Sequence, residues 1–89
     1  MNAIVTVVGR DRVGIIAAVC TLLAENNVNI LDINQTVMQD FFTMSMLVDT
    51  KTSTIAFGDL VETLSRKGEE MGLSIRIQRQ EIFDAMHTI

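Results

Sequence analysis

The chain of 89 residues contains no proline, tryptophan or tyrosine, and only five glycines. Hydrophobic residues make up 48% of it against 20% charged residues, so the composition excludes a disordered or low-complexity protein and predicts one folded domain over residues 1–89. The single cysteine excludes an intramolecular disulfide. Cys20 falls on the apolar side of a predicted helix, which indicates a packed thiol and not a reactive one.

Positive charge is also scarce, since seven basic residues stand against eleven acidic ones and the formal net charge is -4. Nucleic-acid binding requires a clustered basic surface, so we expect no nucleic-acid partner. No apolar run approaches the ~18 residues of a membrane span, and residues 1–4 lack the basic region and cleavage site of a signal peptide. We therefore expect no membrane partner and a cytoplasmic location.

Groups that carry chemistry are few and scattered. The loop after the first predicted strand has neither cysteine nor histidine, which argues against metal carriage, and no phenylalanine lies in that strand, which argues against RNA binding by the sheet. Arg10 and Arg12 would suit the anion-binding loop of an acyl-phosphate hydrolase, but the rest of that pattern is missing. His87 lies in the tail whereas Cys20 faces the core, so the sequence does not indicate a paired nucleophile and base. We expect no enzyme activity, no metal and no cofactor.

Hydrophobic periodicity in the first half predicts a strand, a helix and a hairpin. The β-branched run at residues 3–8 is typical of an interior strand. A helix is predicted from about 13 to 26, with Asp11 or Arg12 near its start and an apolar stripe at Ile16, Val19, Cys20 and Leu23. Strands follow at 29–38 and 41–49, joined by a tight turn, and the second of them alternates the apolar residues Phe42, Met44, Met46 and Val48 with mostly polar ones.

The second half predicts another helix and strand. Phe57, Leu60, Val61, Leu64, Gly68 and Met71 recur at helical spacing. Thr52 or Ser53 is the candidate cap of this helix, and Gly72 is its stop. A strand over 73–78 follows. The tail at 81–89 has an apolar side that predicts a short C-terminal helix docked on the sheet or on a partner.

The order strand, helix, strand, strand, helix, strand predicts an α+β, ferredoxin-like βαββαβ sandwich. Right-handed crossovers place both helices on one face of a four-stranded antiparallel sheet and leave the other face uncovered. The mean hydropathy of +0.34 is high for so small a domain. Because surplus apolar surface usually marks an interface, we expect a homo-oligomer, a dimer or higher.

The junction between the first strand and the first helix, residues 9–16, is the most informative stretch. Such a turn exposes unpaired helix N–H groups, which suit a carboxylate, and the amide of Asn29 both donates and accepts, as an α-amino acid requires. Each residue also has a purely structural interpretation. Gly9 can end a strand, Asp11 can cap a helix, Gly14 can permit close helix packing and Asn29 can complete a turn.

These residues resemble an ACT domain, a small regulatory module with a ferredoxin-like fold that typically binds amino acids at subunit interfaces. The resemblance rests on Gly9-x-Asp11-x-x-Gly14-Ile15, on Asn27-Val28-Asn29-Ile30 and on the element order over the whole chain. Stand-alone single-ACT proteins of bacteria and archaea are similar, with like segments at 35–37 and 81–86. The ACT repeats of the glycine-cleavage regulator are similar too.

The resemblance implies a regulatory module that binds a small molecule, an amino acid by preference, as an oligomer, and signals to a separate protein partner. The ligand-binding residues that it implies, shared across a subunit interface, are Asp11, Arg12, Val13, Gly14, Asn29 and Ile30. An alternative is a ligand-free interaction module, which uses its open sheet face and apolar tail to assemble proteins without catalysis.

Overall fold

A computed structural model describes residues 1–10 and 14–81. Its elements, in chain order, are β1 (Asn2–Arg10), α1 (Ile15–Glu25), β2 (Asn29–Met38), β3 (Phe41–Asp49), α2 (Phe57–Met71) and β4 (Ser74–Arg79). The strands form one antiparallel sheet in the order β2-β3-β1-β4, which confirms the ferredoxin-like prediction. The predicted C-terminal helix, over residues 81–89, lies outside the described residues apart from Glu81.

The core lies between the helices and one face of the sheet. Antiparallel neighbours share a face, and the alternation predicted for β3 is confirmed because Met44 and Met46 lie opposite Val7 and Val5 with no solvent exposure. The helices complete the core with apolar side chains at helical spacing, which are Ile15, Val19 and Leu23 of α1 and Leu60 and Leu64 of α2.

The end of α2 is fixed by the glycine predicted to stop it. Gly72 has φ 71°, a left-handed conformation that glycine adopts without strain. The N–H of Leu73 donates to the carbonyl of Gly68 at 2.7 Å, and the N–H of Gly72 donates to that of Glu69 at 3.3 Å. This pair of bonds is a Schellman motif, which satisfies carbonyl groups that the helix leaves unpaired.

The predicted caps of α2 are wrong. The hydroxyl of Thr52 donates to the carbonyl of Asn27 at 3.0 Å, and the Asn27 amide donates back to the Thr52 carbonyl at 3.1 Å, so this side chain joins two turns instead of capping a helix. Ser53 donates its hydroxyl to the carbonyl of Ile55 at 2.9 Å. The helix begins at Phe57 with no side-chain cap hydrogen bond.

The hairpin between β2 and β3 sets the register of the sheet edge. Met38 lies opposite Phe41 across the two-residue turn, whose first residue, Gln39, has φ 55°, so the predicted tight turn is confirmed. From this turn the pairing runs without a break to Asp32, and an irregularity in the register follows at Leu31. Although β2 contributes every second residue to the side of the helices, nearly all its side chains remain exposed.

We predict that Gly68→Ala destabilises the fold by about 1–2 kcal/mol. A Cβ at Gly68 would lie 2.8 Å from the carbonyl oxygen of Leu73, and the overpacking outweighs the gain in helix propensity of about 1 kcal/mol. The matched control is Gly58→Ala in the first turn of the same helix, where a Cβ meets none of the described residues within 4 Å and the change is expected to stabilise. Urea unfolding measures both. Equal stabilisation by the two substitutions would contradict the packing argument.

Candidate ligand-binding site

The first helix begins from a glycine in a left-handed conformation. Gly14 precedes α1 with φ 88°, a value that L-residues rarely adopt, and no side chain caps the helix among the described residues. Among the described residues, a Cβ at Gly14 would meet nothing within 4 Å, so they give no support to the close-packing interpretation, and the glycine serves the backbone conformation. The predicted start of the helix at Val13 is two residues early, because the structure begins α1 at Ile15. Asp11, the predicted cap, lies outside the described residues.

Gly9 has a packing role within the core. It lies in β1 opposite Phe42, one residue before the strand ends. A Cβ on Gly9 would collide with the side chain of Leu73, which packs at this point after the end of α2. The absence of a side chain at Gly9 therefore lets two segments approach, and Gly9 itself does not line the groove described next.

A groove of about 500 Å³ opens between the start of α1 and the helix-facing side of β2 and β3. This volume lies within the range of small-molecule sites. The groove reaches the first turn of α1, whose N–H groups have no acceptor within the helix. Its lining residues are Gly14, Ile15, Ile16, Ala17, Gln35, Val37 and Phe42.

The walls of the groove are mostly apolar, with one polar side chain among the described lining residues. Gln35 lies opposite Met44, so it shares the core-facing side of the sheet with Phe42 but remains exposed at the edge. Its amide can donate and accept at the same time. The groove therefore combines a donor-rich helix start, one amide and an apolar wall, which suits a small molecule with a carboxylate and an uncharged body.

Gln35, Val37 and Phe42 were not predicted as site residues, although the sequence contained a signal for them. Counting from the predicted two-residue turn fixes the register, because Met38 must face Phe41. Period-two alternation then places Gln35 on the side of the core between two apolar residues. A polar residue at such a position is the pattern that marks the groove.

The structure separates the predicted site residues into two groups. Gly14 lines the groove, whereas Asn29 and Ile30 lie opposite Asp49 and Val48, at the far end of β2. Asn29 is six residues from Gln35, or about 20 Å along an extended strand. A single chain therefore does not bring Asn29 and Gly14 together. Asp11, Arg12 and Val13 lie outside the described residues.

Other kinds of site find little support in the described part of the chain. Residues 1–10 and 14–81 contain no group of three or more His, Cys, Asp or Glu side chains arranged to hold a metal ion. Cys20 is half-buried and packs against the core, as its position on the apolar stripe predicted. No helix in these ranges is long and apolar enough to cross a membrane.

Comparison with known proteins gives consistent matches over the chain. A UPF0237 protein of Clostridium acetobutylicum is 49% identical over the whole length of both chains. The solved structure of an ACT domain protein from Streptococcus pneumoniae is 37% identical, with a TM-score of 0.82 over 100% of this chain and 97% of that one. A protein provisionally named a glycine cleavage system transcriptional repressor is 26% identical, with a TM-score of 0.74 over 86% of this chain and 44% of that one.

The family model for the ACT domain matches residues 2–78, which include all six strands and helices except the last residue of β4. The fold and the similarity to the solved structure of an ACT domain protein agree with this match. The chain belongs to the ACT domain family.

Proposed function

We propose that this chain is a regulatory module that binds an α-amino acid in the groove beside α1, as a homo-oligomer, and reports its occupancy to a separate protein. The observation that carries the proposal is the meeting of three features in one groove: the unpaired N–H groups of the first turn of α1, the amide of Gln35 and an apolar wall. An α-amino acid has a group that matches each of these features: a carboxylate, an ammonium group and a side chain.

The chemistry of recognition follows from these features. The ligand carboxylate accepts hydrogen bonds from the N–H groups of residues 15–17 and lies at the positive end of the helix dipole. The carbonyl oxygen of Gln35 accepts a hydrogen bond from the ammonium group. The ligand side chain packs against Val37 and Phe42. None of these steps requires a reactive side chain, which supports binding without catalysis.

An unprotected sheet edge supports assembly of two copies. β2 is a ten-residue edge strand whose one charged residue is Asp32, whereas the opposite edge, β4, has Arg76 and Arg79 within six residues. Charges and short length protect an edge from pairing, so β2 is the edge open to a second copy. α1 flanks the same side, and its single charged residue is Glu25 at its last position, which is typical of a helix that is covered.

Pairing of two β2 strands would complete the groove. In an antiparallel pair about a two-fold axis near the middle of the strand, residue 29 of one copy approaches residue 38 of the other. Asn29 of the partner subunit and Ile30 of the partner subunit then lie beside Val37 and the groove. This arrangement unites the predicted residues that a single chain keeps apart.

The signal is a shift of population between two arrangements of the subunits. A ligand that contacts both copies stabilises the arrangement of the subunits for which it has the higher affinity. A coupling free energy of about 1–3 kcal/mol is sufficient to change which arrangement a partner protein encounters. The similarity to a protein provisionally named a transcriptional repressor supports a regulatory role of this kind.

We predict that at least one of the twenty amino acids raises the melting temperature of this protein in a concentration-dependent way. Gln35→Leu, at an exposed position, is expected to abolish the shift without changing the unfolding of the free protein. Asn29→Ala is expected to weaken it. The control is Ser65→Leu, a polar-to-leucine change at an exposed position on α2. An intact oligomer with no shift for any amino acid would favour the ligand-free interaction module instead.

The edge contact has a separate test. Ile33→Lys places a charge on β2 and is expected to convert the oligomer to smaller species in sedimentation experiments, because a buried, unpaired ammonium group is costly. Val61→Lys on α2 is the matched control, since both side chains are 38% exposed. Equal sedimentation of Ile33→Lys and the control would exclude this edge as the interface.

A further inference from the structure

The sheet has a second face, turned away from both helices, which we call the open face. At its centre lie Ile4, Thr6 and Val8 of β1 and Thr43, Ser45 and Leu47 of β3, all uncharged. At the hairpin end the face becomes more apolar, since Met38 is 69% and Phe41 is 58% exposed. A cavity of about 480 Å³ lies there between Val8, Met38 and Phe41. Large exposed apolar side chains grouped in this way mark an interaction surface.

Charge on the open face lies around this uncharged centre. Asp32 lies on β2 at one side and Arg76 lies on β4 at the other, both exposed. Arg10 lies beside Phe41 at the end of β1. Asp49, at the other end of β3, has the N-terminal amino group at 3.7 Å. One edge strand is thus acidic and the other is basic on the same face.

We propose that the open face binds a second copy of this chain, with the two sheets face to face about a two-fold axis parallel to the strands. This axis lies between β1 and β3, so each β1 covers the β3 of the other copy, and each β2 covers the other β4. Stacked sheets lie about 10 Å apart with their strands nearly aligned. The proposal is independent of ligand binding and of the β2 edge contact.

The register of the strands makes this arrangement self-complementary. Ile4 and Leu47 are cross-strand partners in the sheet. The two-fold axis therefore places Ile4 of one copy against Leu47 of the partner subunit, which makes the centre of the contact apolar. The Arg10 guanidinium meets the ring of Phe41 of the partner subunit in a cation–π contact. Asp32 comes near Arg76 of the partner subunit, with an offset of two residues along the strand direction. Because the axis is two-fold, every one of these contacts occurs twice.

A two-fold axis perpendicular to the strands gives a poorer match. Each strand would then cover the same strand of the other copy in the opposite direction. Arg76, at the middle of β4, would face Arg76 of the partner subunit, and Phe41 would face Asp49 of the partner subunit. Because opposed like charges are unfavourable, the charge pattern selects the axis parallel to the strands.

The size of the face sets the expected strength of the contact. Four strands about 4.8 Å apart and about 27 Å long cover about 500 Å² per copy, or about 1,000 Å² in total. That is near the lower limit of specific interfaces, so the association is expected to depend on protein concentration in the micromolar range or above. With the β2 edge contact, the open face would join two dimers into a tetramer.

The test is a charge swap followed by sedimentation over a range of concentrations. Asp32→Arg and Arg76→Asp are each expected to weaken one association step by at least about tenfold, because each opposes like charges twice. An equimolar mixture of the two variants restores Asp–Arg pairs at both positions and is expected to associate as the wild type does. The double variant is expected to do the same.

Two controls separate this contact from net charge and from the β2 edge. Glu70→Arg and Lys51→Asp make the same charge changes at exposed positions outside the open face, and they are expected to leave assembly unchanged. Arg76 lies on the strand farthest from β2, so an edge contact alone would not respond to its reversal. The proposal is overturned if Arg76→Asp assembles as the wild type does, or if mixing the two variants restores nothing.

Discussion

The pairing of β1 on both sides is the constraint on which the rest of the structure depends. β1 lies between β3 and β4, and its residues Ala3, Val5 and Val7 are completely buried under the helices. The chain crosses from β1 to β2 through α1 and from β3 to β4 through α2, and because both crossovers are right-handed, α1 and α2 share one face of the sheet. The side chains of β1 that point the other way are left to form the centre of the open face. A single strand thus contributes to both the core and the open face.

β2 is paired and buried much less than β1, since it has one strand neighbour and little cover from the helices. Its core-facing residues Ile33, Gln35 and Val37 continue the rows of buried residues in β3, yet all three are exposed. The gap between them and α1 is the groove. The candidate site therefore exists because the core ends one strand short of the sheet edge, and whatever lies against β2 also borders the groove.

Much of the fold could be predicted from the sequence, because residue spacing and local backbone preferences favour the same strands, turns and helix ends that the structure has. The alternation in β3, the stop at Gly72 and the hairpin turn follow from spacing and backbone preferences that need no long-range information. The caps could not be predicted, since Thr52 uses its hydroxyl on Asn27, 25 residues away, and only the folded chain brings the two together. Of the residues predicted to bind a ligand, Gly14 lines the candidate groove. The distance of Asn29 from the groove follows from the direction of β2, which residue types do not reveal.

The paired hydrogen bonds between Asn27 and Thr52 have a mechanical consequence. With the bond from the Thr54 N–H to the Asn26 carbonyl at 3.0 Å, they hold the C-terminal end of α1 to the loop before α2. At its other end, α1 begins beside the groove, where Ile15 is buried in the core and Ile16 and Ala17 line the groove. The two ends of α1 are therefore held by different interactions, hydrogen bonds at the C-terminal end and apolar packing at the end that borders the groove.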